Sequence, residues 1–547
     1  MSRRVGGPAA MLAWIIAILA LALSQLVPPA ALPADAPAHE FSALRAMEHV
    51  RIIAQAPHPS GSPEIETVRQ YLIAQLAMHG LSPEAPHDRI IFENSGTGER
   101  TVVRNLCAVI TGTASTGTIV VMAHYDSVPG APGAADNASG TAILLETLRA
   151  LRAGPPLRND LLVLFTDAEE QGLTGAYGFV HSNPRMADVR LVINLDTFMY
   201  GPAVMSRTNP QNGWVIAQLA ASGVRPLAVS WSQDVARLLP IDTDFTPFAE
   251  AGVAGYHFWT VYSYPESHSP ADRPEIVDPA SVQQGGAQVL ALVRYLGDRD
   301  LSDTKAPDEV YFTAWGPLFV HYPASLALPL AVFAALLYVA VVLLGVRAGR
   351  LDWLALGKGL LAFLIMLGAG VMIALAYLPV RRVVHPALPR NPMWHIPGDG
   401  VDFVVLVALT VLLVAGLYLL ARRKVPPDAL ALGALLPWTV LAVATAILLP
   451  GASYMFLWPL LAGTLAHGAA FLAGWRRDSW ARRFVFALGA VPVLLLWGIS
   501  IALLFYATAT FFLPALMSAV ALVMAALAAQ GDTLPPGDDG QPQKRKD

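Results

Sequence analysis

The residues best able to do chemistry in this sequence stand where apolar, β-branched runs give way to polar loops. In VVMAHYDSVPGAPGAADNASG, residues 120–140, such a run ends in His124, Tyr125 and Asp126, and a Gly/Pro loop then delivers Asp136 and Asn137. LLVLFTDAEEQG closes a second run with Asp167, Glu169 and Glu170, LVINLD closes a third with Asp196, and His268 stands in the loop SYPESHSPAD. Imidazoles and carboxylates are donors to divalent metals, and on that ground His124 and Asp136 are candidate zinc ligands. Neighbouring carboxylates raise one another's pKa unless a cation sits between them, so Glu169 and Glu170 read as one base and one ligand. A lone His-x-Asp, Glu-Glu pair or loop histidine is commonplace in a protein for structural reasons. Acid and imidazole groups at successive strand ends of one domain match a zinc site in type and number.

Such groups converge only if the strands that carry them are neighbours. Open α/β sheets place ligands at the strand ends, where the strand fixes one residue and the loop supplies the rest. Helical apolar spacing covers residues 41–55 and 64–80, the second opening after Ser62 and Pro63 as a capped helix does and closing at Gly80. Strands are expected at 88–93 and 101–110, and helices at about 138–152, 174–182, 211–222 and 279–297. This alternation predicts an α/β fold, a mixed sheet with helices on both faces.

In its motifs the region from about residue 40 to 300 resembles the co-catalytic dizinc aminopeptidases, metallopeptidase family 28 of clan MH. That family includes secreted bacterial aminopeptidases and membrane-bound vacuolar and endoplasmic reticulum relatives. Its motif order is His-x-Asp, Asp-Asn, Glu-Glu, Asp, and a late His followed by an Asp, and all five motifs occur here in that order. The resemblance implies the zinc-dependent exopeptidase fold and two Zn2+ ions. It implies Asp136 as the bridging carboxylate, His124 and Asp196 on one ion, and Glu170 and His268 on the other. Glu169 would be the general base, and Asp126 the carboxylate that orients the His124 imidazole. The Asn105 turn of RNLCAVITG beside the sheet belongs to the same resemblance. One departure is Ser267, where many relatives carry an aromatic residue that helps stabilise the oxyanion; Tyr262 or Tyr264 would have to reach that place. DTDFTPFAEAGVAGYHF, residues 242–258, resembles the family's pocket-lining loop and strand, with Asp244 and Phe248 placed to meet a substrate side chain. Phe245, Phe248 and Phe258 also suit plain core packing beside a buried strand.

The 547 residues are 55% hydrophobic and 14% charged, far from an average soluble protein, so membrane segments are expected. A net charge of -4 and the lack of a basic stripe argue against a nucleic-acid partner. Cys107 is the only cysteine, so no intramolecular disulfide forms. After MSRR, the apolar run from Ala9 to Val27 reads as a signal anchor with a cytoplasmic N-terminus; cleavage within AALPADAPA, residues 30–38, is the alternative. From Ala324 onward apolar runs recur at about 324–346, 354–378, 402–421, 429–449, 453–474, 484–506 and 508–529, each near the ~20 residues a spanning helix needs. The expected domains are thus an anchor and linker (1–39), a dizinc peptidase domain (40–320), an all-α transmembrane bundle of about seven helices (321–530) and a polar cytoplasmic tail (531–547). Lys and Arg gather in alternate loops, which puts the peptidase domain on the non-cytoplasmic side. The sole Asn-x-Ser/Thr sequon, at Asn137, lies inside the metal motif, which favours the periplasmic face of a bacterial inner membrane. His467 is a candidate functional residue within the bundle, set against a neutral histidine hydrogen-bonded between helices.

The expected function is therefore that of a membrane-anchored zinc metallopeptidase acting on peptides, foremost an aminopeptidase. Carboxypeptidase or glutaminyl cyclase activity of the same clan stays open, with Arg237 and Arg273 as candidates for a C-terminal carboxylate. A membrane transporter or scaffold with a binding-only zinc domain is the alternative of a different class. The expected partners are a peptide substrate and the lipid bilayer.

Overall fold

The computed structural model describes residues 6–83, 90–93, 100–238, 242–262, 266–316, 318–384, 399–477, 479–508 and 512–531. They group into two units, one made of Gln25–Ser325 and the other of the described parts of Met1–Ser24 and Leu326–Asp547. The chain begins with the apolar helix α1 (Gly6–Leu23) of the second unit and then enters the first. There it forms α2 (Ala43–Ile53), α3 (Pro63–Met78), β1 (Ile90–Glu93), β2 (Arg100–Val103), β3 (Leu106–Ile110), β4 (Thr118–His124), α4 (Ser139–Arg152), β5 (Asp160–Thr166), α5 (Thr174–Ser182) and β6 (Val189–Leu195). β7 (Tyr200–Thr208), α6 (Gly213–Ala221), β8 (Leu227–Ala228), α7 (Trp231–Leu238), α8 (Phe245–Glu250), β9 (Ala254–Tyr262), α9 (Pro279–Gly297), β10 (Glu309–Trp315) and β11 (Leu318–Pro323) complete it.

Seven strands make one mixed sheet in the order β3-β5-β4-β6-β9-β7-β8, and β1-β2 and β10-β11 are separate two-stranded pairs. The inner strands β5, β4, β6 and β9 run parallel, β3 is antiparallel to β5 and β7 to β9, and the short β8 pairs parallel with β7. Every residue of β4 is buried, and its side chains alternate between two cores. Ile119, Val121 and Ala123 join Leu144 and Leu148 of α4 and Val282 and Val289 of α9; Val120 and Met122 join Phe179 of α5 and Phe248 of α8. Helices therefore cover both faces, as expected. A slip of one residue would exchange the two sets, so packing on both sides fixes the register of the strand that ends in His124.

Local signals account for most boundaries. The Ser62 side chain accepts from Ile65 N, Pro63 occupies the first turn of α3, and Asp278 caps α9 by accepting from Ala280 N. The expected strand 101–110 is broken at Arg104 and Asn105. There Arg104 N donates to Asp167 Oδ2 at 2.7 Å, and the Asn105 side chain donates to Gly175 O at 2.8 Å while accepting from Asp167 N at 3.0 Å. Of the expected strand 88–93, residues 88 and 89 lie outside the described residues.

The other unit holds α10 (Ala327–Arg347), α11 (Trp353–Val384), α12 (Asp399–Ala421), α13 (Pro427–Leu448), α14 (Tyr454–Leu472), α15 (Trp480–Gly489), α16 (Val491–Thr508) and α17 (Leu513–Gly531). Among the described residues, six apolar stretches are long enough to cross a membrane; Ala10–Leu26 and Leu513–Met524 are apolar but shorter. Of the seven runs expected after residue 323, the sixth is divided at Ala490 into α15 and α16, and the seventh is α17. His467 is fully buried, with Nδ1 hydrogen-bonded to Gly463 O of its own helix at 2.9 Å and its ring edge-on to Phe486 at 4.7 Å. Its Nε2 is buried and has no hydrogen-bond partner among the described residues, so the hydrogen bond between helices expected of a neutral histidine is not what holds it. Asp428 at the start of α13 is buried and ion-paired with Arg482 and, at 3.4 Å, with Arg477.

α9 approaches its neighbours through glycines. A Cβ on Gly286 would stand 2.0 Å from the Phe41 ring, and one on Gly285 2.3 Å from the Phe198 ring. Helix propensity alone would make Gly286→Ala stabilising by about 1 kcal/mol. Overpacking is expected to win, with a loss of about 1–3 kcal/mol in denaturant unfolding of the unit Gln25–Ser325; a gain in stability would contradict the close approach.

Candidate metal centre

Because β4, β5 and β6 are parallel neighbours, their C-terminal ends lie at one edge of the sheet, and the polar residues that follow them converge there. His124 ends β4, Glu169 and Glu170 follow β5, and Asp196 follows β6. Asp136 sits in the irregular turn Ala134–Ala138, and His268 in the loop after β9. His124 Nε2 lies 3.2 Å from Asp136 Oδ1 and 3.6 Å from Asp196 Oδ1; His268 Nε2 lies 3.1 Å from Asp136 Oδ2 and 3.4 Å from Glu170 Oε1. The two oxygens of Asp136 thus face two different histidines. Two groups result that could each hold a metal ion: His124 with Glu169 and Asp196, and Asp136 with Glu170 and His268, the ligand atoms of each lying within 4.8 Å of one another.

These side chains are held from behind. Asp272 accepts from Ala135 N at 2.6 Å and from Asp136 N at 3.2 Å, fixing the turn that carries Asp136. The Asn137 side chain donates to Leu195 O and accepts from Gly140 N and Thr197 N, tying that turn to the end of β6. Asp126 stands 3.4 Å from His124 Nδ1, as an orienting carboxylate should, but it also accepts from Glu169 N at 3.1 Å and Glu170 N at 3.3 Å. It therefore positions both glutamates as well as the imidazole. Thr141 Oγ1 donates to His124 O, and Thr166 Oγ1 donates to the buried Asp244.

The electrostatics are those of a cavity with too much acid. Burial raises Glu169 well above the usual carboxylate range, and burial followed by the charge of Asp136 pushes Glu170 up to about 7. Burial likewise lifts Asp244 to about 7 and Asp272 to about 8. Asp136 is the exception: burial opposes its charge, but bonding to His124 and His268 holds it well below the usual value. Burial disfavours a charged His268, yet Asp136 and Glu170 beside it push the imidazole up to about 11. Four carboxylates and two imidazoles in the two groups bear net negative charge when ionised, the condition that a bound cation relieves. His124 Nε2 fits that reading, since it is buried and faces two carboxylate oxygens at 3.2 and 3.6 Å.

The structure brings together His124, Asp126, Asp136, Glu169, Glu170, Asp196 and His268. Other residues singled out in the sequence stand elsewhere in the chemistry. Phe245, Phe248 and Phe258 are core residues with no exposure, Phe248 stacking on Phe179 at 5.8 Å. Ser267 is buried, and its Oγ has no hydrogen-bond partner. Tyr264 and the side chain of Tyr262 lie outside the described residues. Arg237 pairs with Asp234 at 3.6 Å, and exposed Arg273 donates to Pro270 O at 2.9 Å. No local pattern in the sequence marks a role for Thr166, and Asp244, which the family resemblance places toward a substrate side chain, is buried on Thr166. The Asp that follows the late histidine was the available signal for Asp272.

Residues 105–293 match the model of peptidase family M28, a span that encloses every residue of the centre. Over that span the chain is similar to peptidase family M28. Endoplasmic reticulum metallopeptidase 1 of Rattus norvegicus is 28% identical over 330 residues, covering 55% of this chain and 36% of that protein. Vacuolar membrane protease of Eremothecium gossypii is 30% identical over 302 residues, covering 50% of this chain and 29% of that protein. Aminopeptidase YwaD of Bacillus subtilis is 31% identical over 191 residues, 32% of this chain and 40% of that protein. The chain spans about a third of the length of the first two relatives.

Within residues 105–293 the position of Asp126 makes a discriminating test. In Asp126→Asn one half of the side chain becomes a donor, set either against the Glu170 N–H or against the Glu169 N–H and His124 Nδ1 together. A loss of about 10–100-fold in metal affinity is expected from elemental analysis across a chelator series; wild-type affinity would show that Asp126 orients nothing of consequence.

Proposed function

We propose that this chain is a membrane-anchored zinc metallopeptidase that holds two Zn2+ ions and releases N-terminal residues from peptides. The observation that carries the reading is the Asp136 carboxylate, with one oxygen 3.2 Å from His124 and the other 3.1 Å from His268. Tetrahedral ligands about 2.0–2.1 Å from a zinc ion stand roughly 3.3 Å apart. The four nitrogen–oxygen separations of the centre, 3.1 to 3.6 Å, bracket that spacing. His124 and Asp196 would hold one ion, Glu170 and His268 the other, and Asp136 both. When bound, the ions supply Lewis-acid polarisation of the scissile carbonyl and lower the pKa of water between them.

The chain's own part in the reaction belongs to Glu169. Its carboxylate takes a proton from the attacking water at Oε and returns it to the leaving amine nitrogen, while burial keeps it basic enough for the first step. Asp126 holds Glu169 by its backbone N–H, so the base is set by the same group that orients His124. Excess carboxylate in the cavity suits the free amine of a peptide N-terminus better than a C-terminal carboxylate. Arg237 and Arg273, the candidates for a carboxylate partner, are respectively ion-paired and bound to a backbone carbonyl. A binding-only scaffold is disfavoured because the base stands beside a full ligand set.

Glu169→Gln removes the base and leaves the proposed ligands in place. Hydrolysis of peptide amides should fall about 10²–10⁴-fold while the purified protein keeps its wild-type zinc content; equal loss of metal would mean that Glu169 is a ligand.

The peptidase unit is proposed to lie on the non-cytoplasmic side, most simply the periplasmic face of a bacterial inner membrane. If every run spans, one set of loops holds Arg347, Arg350, Lys358, Arg422, Arg423, Lys424, Arg476, Arg477, Arg482 and Arg483, and the other only Arg381, Arg382 and Arg390. The cytoplasm takes the richer set, which sends Gln25–Ser325 to the opposite side. Fusions of a reporter that fluoresces only in the cytoplasm should be bright after Arg423 and dark after Asp300; the reverse pattern would invert the topology.

A further inference from the structure

Helix α15 carries an apolar stripe at intervals of four residues. Trp480, Phe484 and Leu488 on it are 79%, 56% and 47% exposed. α1 lies alongside, and Trp14 Nε1 donates to Ala487 O at 3.0 Å. Between the two helices runs a groove of about 340 Å³ walled by Met11, Trp14, Trp480, Phe484 and Leu488, with Arg483 as its charged lining residue. The neighbouring arginines Arg482 and Arg477 are taken up by Asp428. Arg483 is different, for its Nε is buried and has no hydrogen-bond partner.

We propose that this groove binds one anionic phospholipid, with the phosphate on Arg483 and an acyl chain along the wall of Met11, Trp14, Phe484 and Leu488. Three features choose that occupant. The unit that forms the groove is built of helices apolar enough to cross a bilayer, so the molecules that reach its walls are lipids. A buried guanidinium donor without an acceptor is costly, and a phosphate oxygen at the end of an apolar slot answers it with a charge-assisted bond. The stretch RRDSWARR, residues 476–483, holds four arginines against one aspartate, and tryptophans such as Trp480 and Trp14 favour the headgroup level of a membrane. The proposal stands apart from the peptidase reading, since no residue of the metal centre takes part.

The test uses the full chain purified in detergent, with lipid binding followed by native mass spectrometry and by the thermal midpoint. Phosphatidylglycerol is expected to bind roughly fivefold more tightly than phosphatidylcholine and to raise the midpoint, in keeping with one arginine at a membrane surface. Arg483→Gln should bring the two lipids to parity, while Arg483→Lys, which keeps the charge, should retain a preference. Inorganic phosphate alone should leave the midpoint unchanged. An undiminished preference in Arg483→Gln, or protection by inorganic phosphate equal to that by the lipid, would overturn the proposal.

Discussion

A carboxylate buried between two imidazoles sets the terms for the peptidase unit. Asp136 is held ionised by His124 and His268, while burial pushes Glu169, Glu170, Asp244 and Asp272 around it toward their protonated forms. Without a cation, acids at this density would share protons rather than coexist as charges. The sheet accepts the arrangement because apolar cores pack on both its faces, so the register that delivers His124, Glu169 and Asp196 is overdetermined far from the site.

Rigidity at the centre comes from side chains that bond to backbone. Asp272 holds the amides of Ala135 and Asp136, Asn137 ties the same turn to Leu195 and Thr197, and Asp126 holds the amides of both glutamates. Each places a donor or acceptor on the backbone beside a candidate ligand, so ligand positions are coupled through hydrogen bonds rather than through long side chains. The close approach of α9 through Gly285 and Gly286 keeps the helix against Phe198 and Phe41.

Much of this was legible in the sequence because strand ends advertise themselves. An apolar run that stops at His124, at Asp167 or at Asp196 gives both the strand and the side chains it delivers, and Ser62-Pro63 and Asp278-Pro279 mark helix starts through capping chemistry. What stayed hidden depends on contacts between residues far apart in the chain. Asp272 and Ala135 are 137 residues apart, and no local pattern shows that a loop aspartate caps a distant turn. The family resemblance marks the Asn105 turn, but the bonds that hold it, from Arg104 and Asn105 to Asp167 and Gly175, are not revealed by any run of β-branched residues. Composition located the apolar runs after residue 323, and the division of α15 from α16 falls at Ala490, just before Pro492, which has no N–H for a continuous helical ladder.

The account turns on Asp136 serving two ions at once. Zinc-edge anomalous scattering from crystals of the full chain measures this directly. Two peaks are predicted about 3.5–4 Å apart, one on either side of the Asp136 carboxylate, the first beside His124 and Asp196 and the second beside Glu170 and His268. A single peak, or a peak without Asp136 among its neighbours, would contradict it.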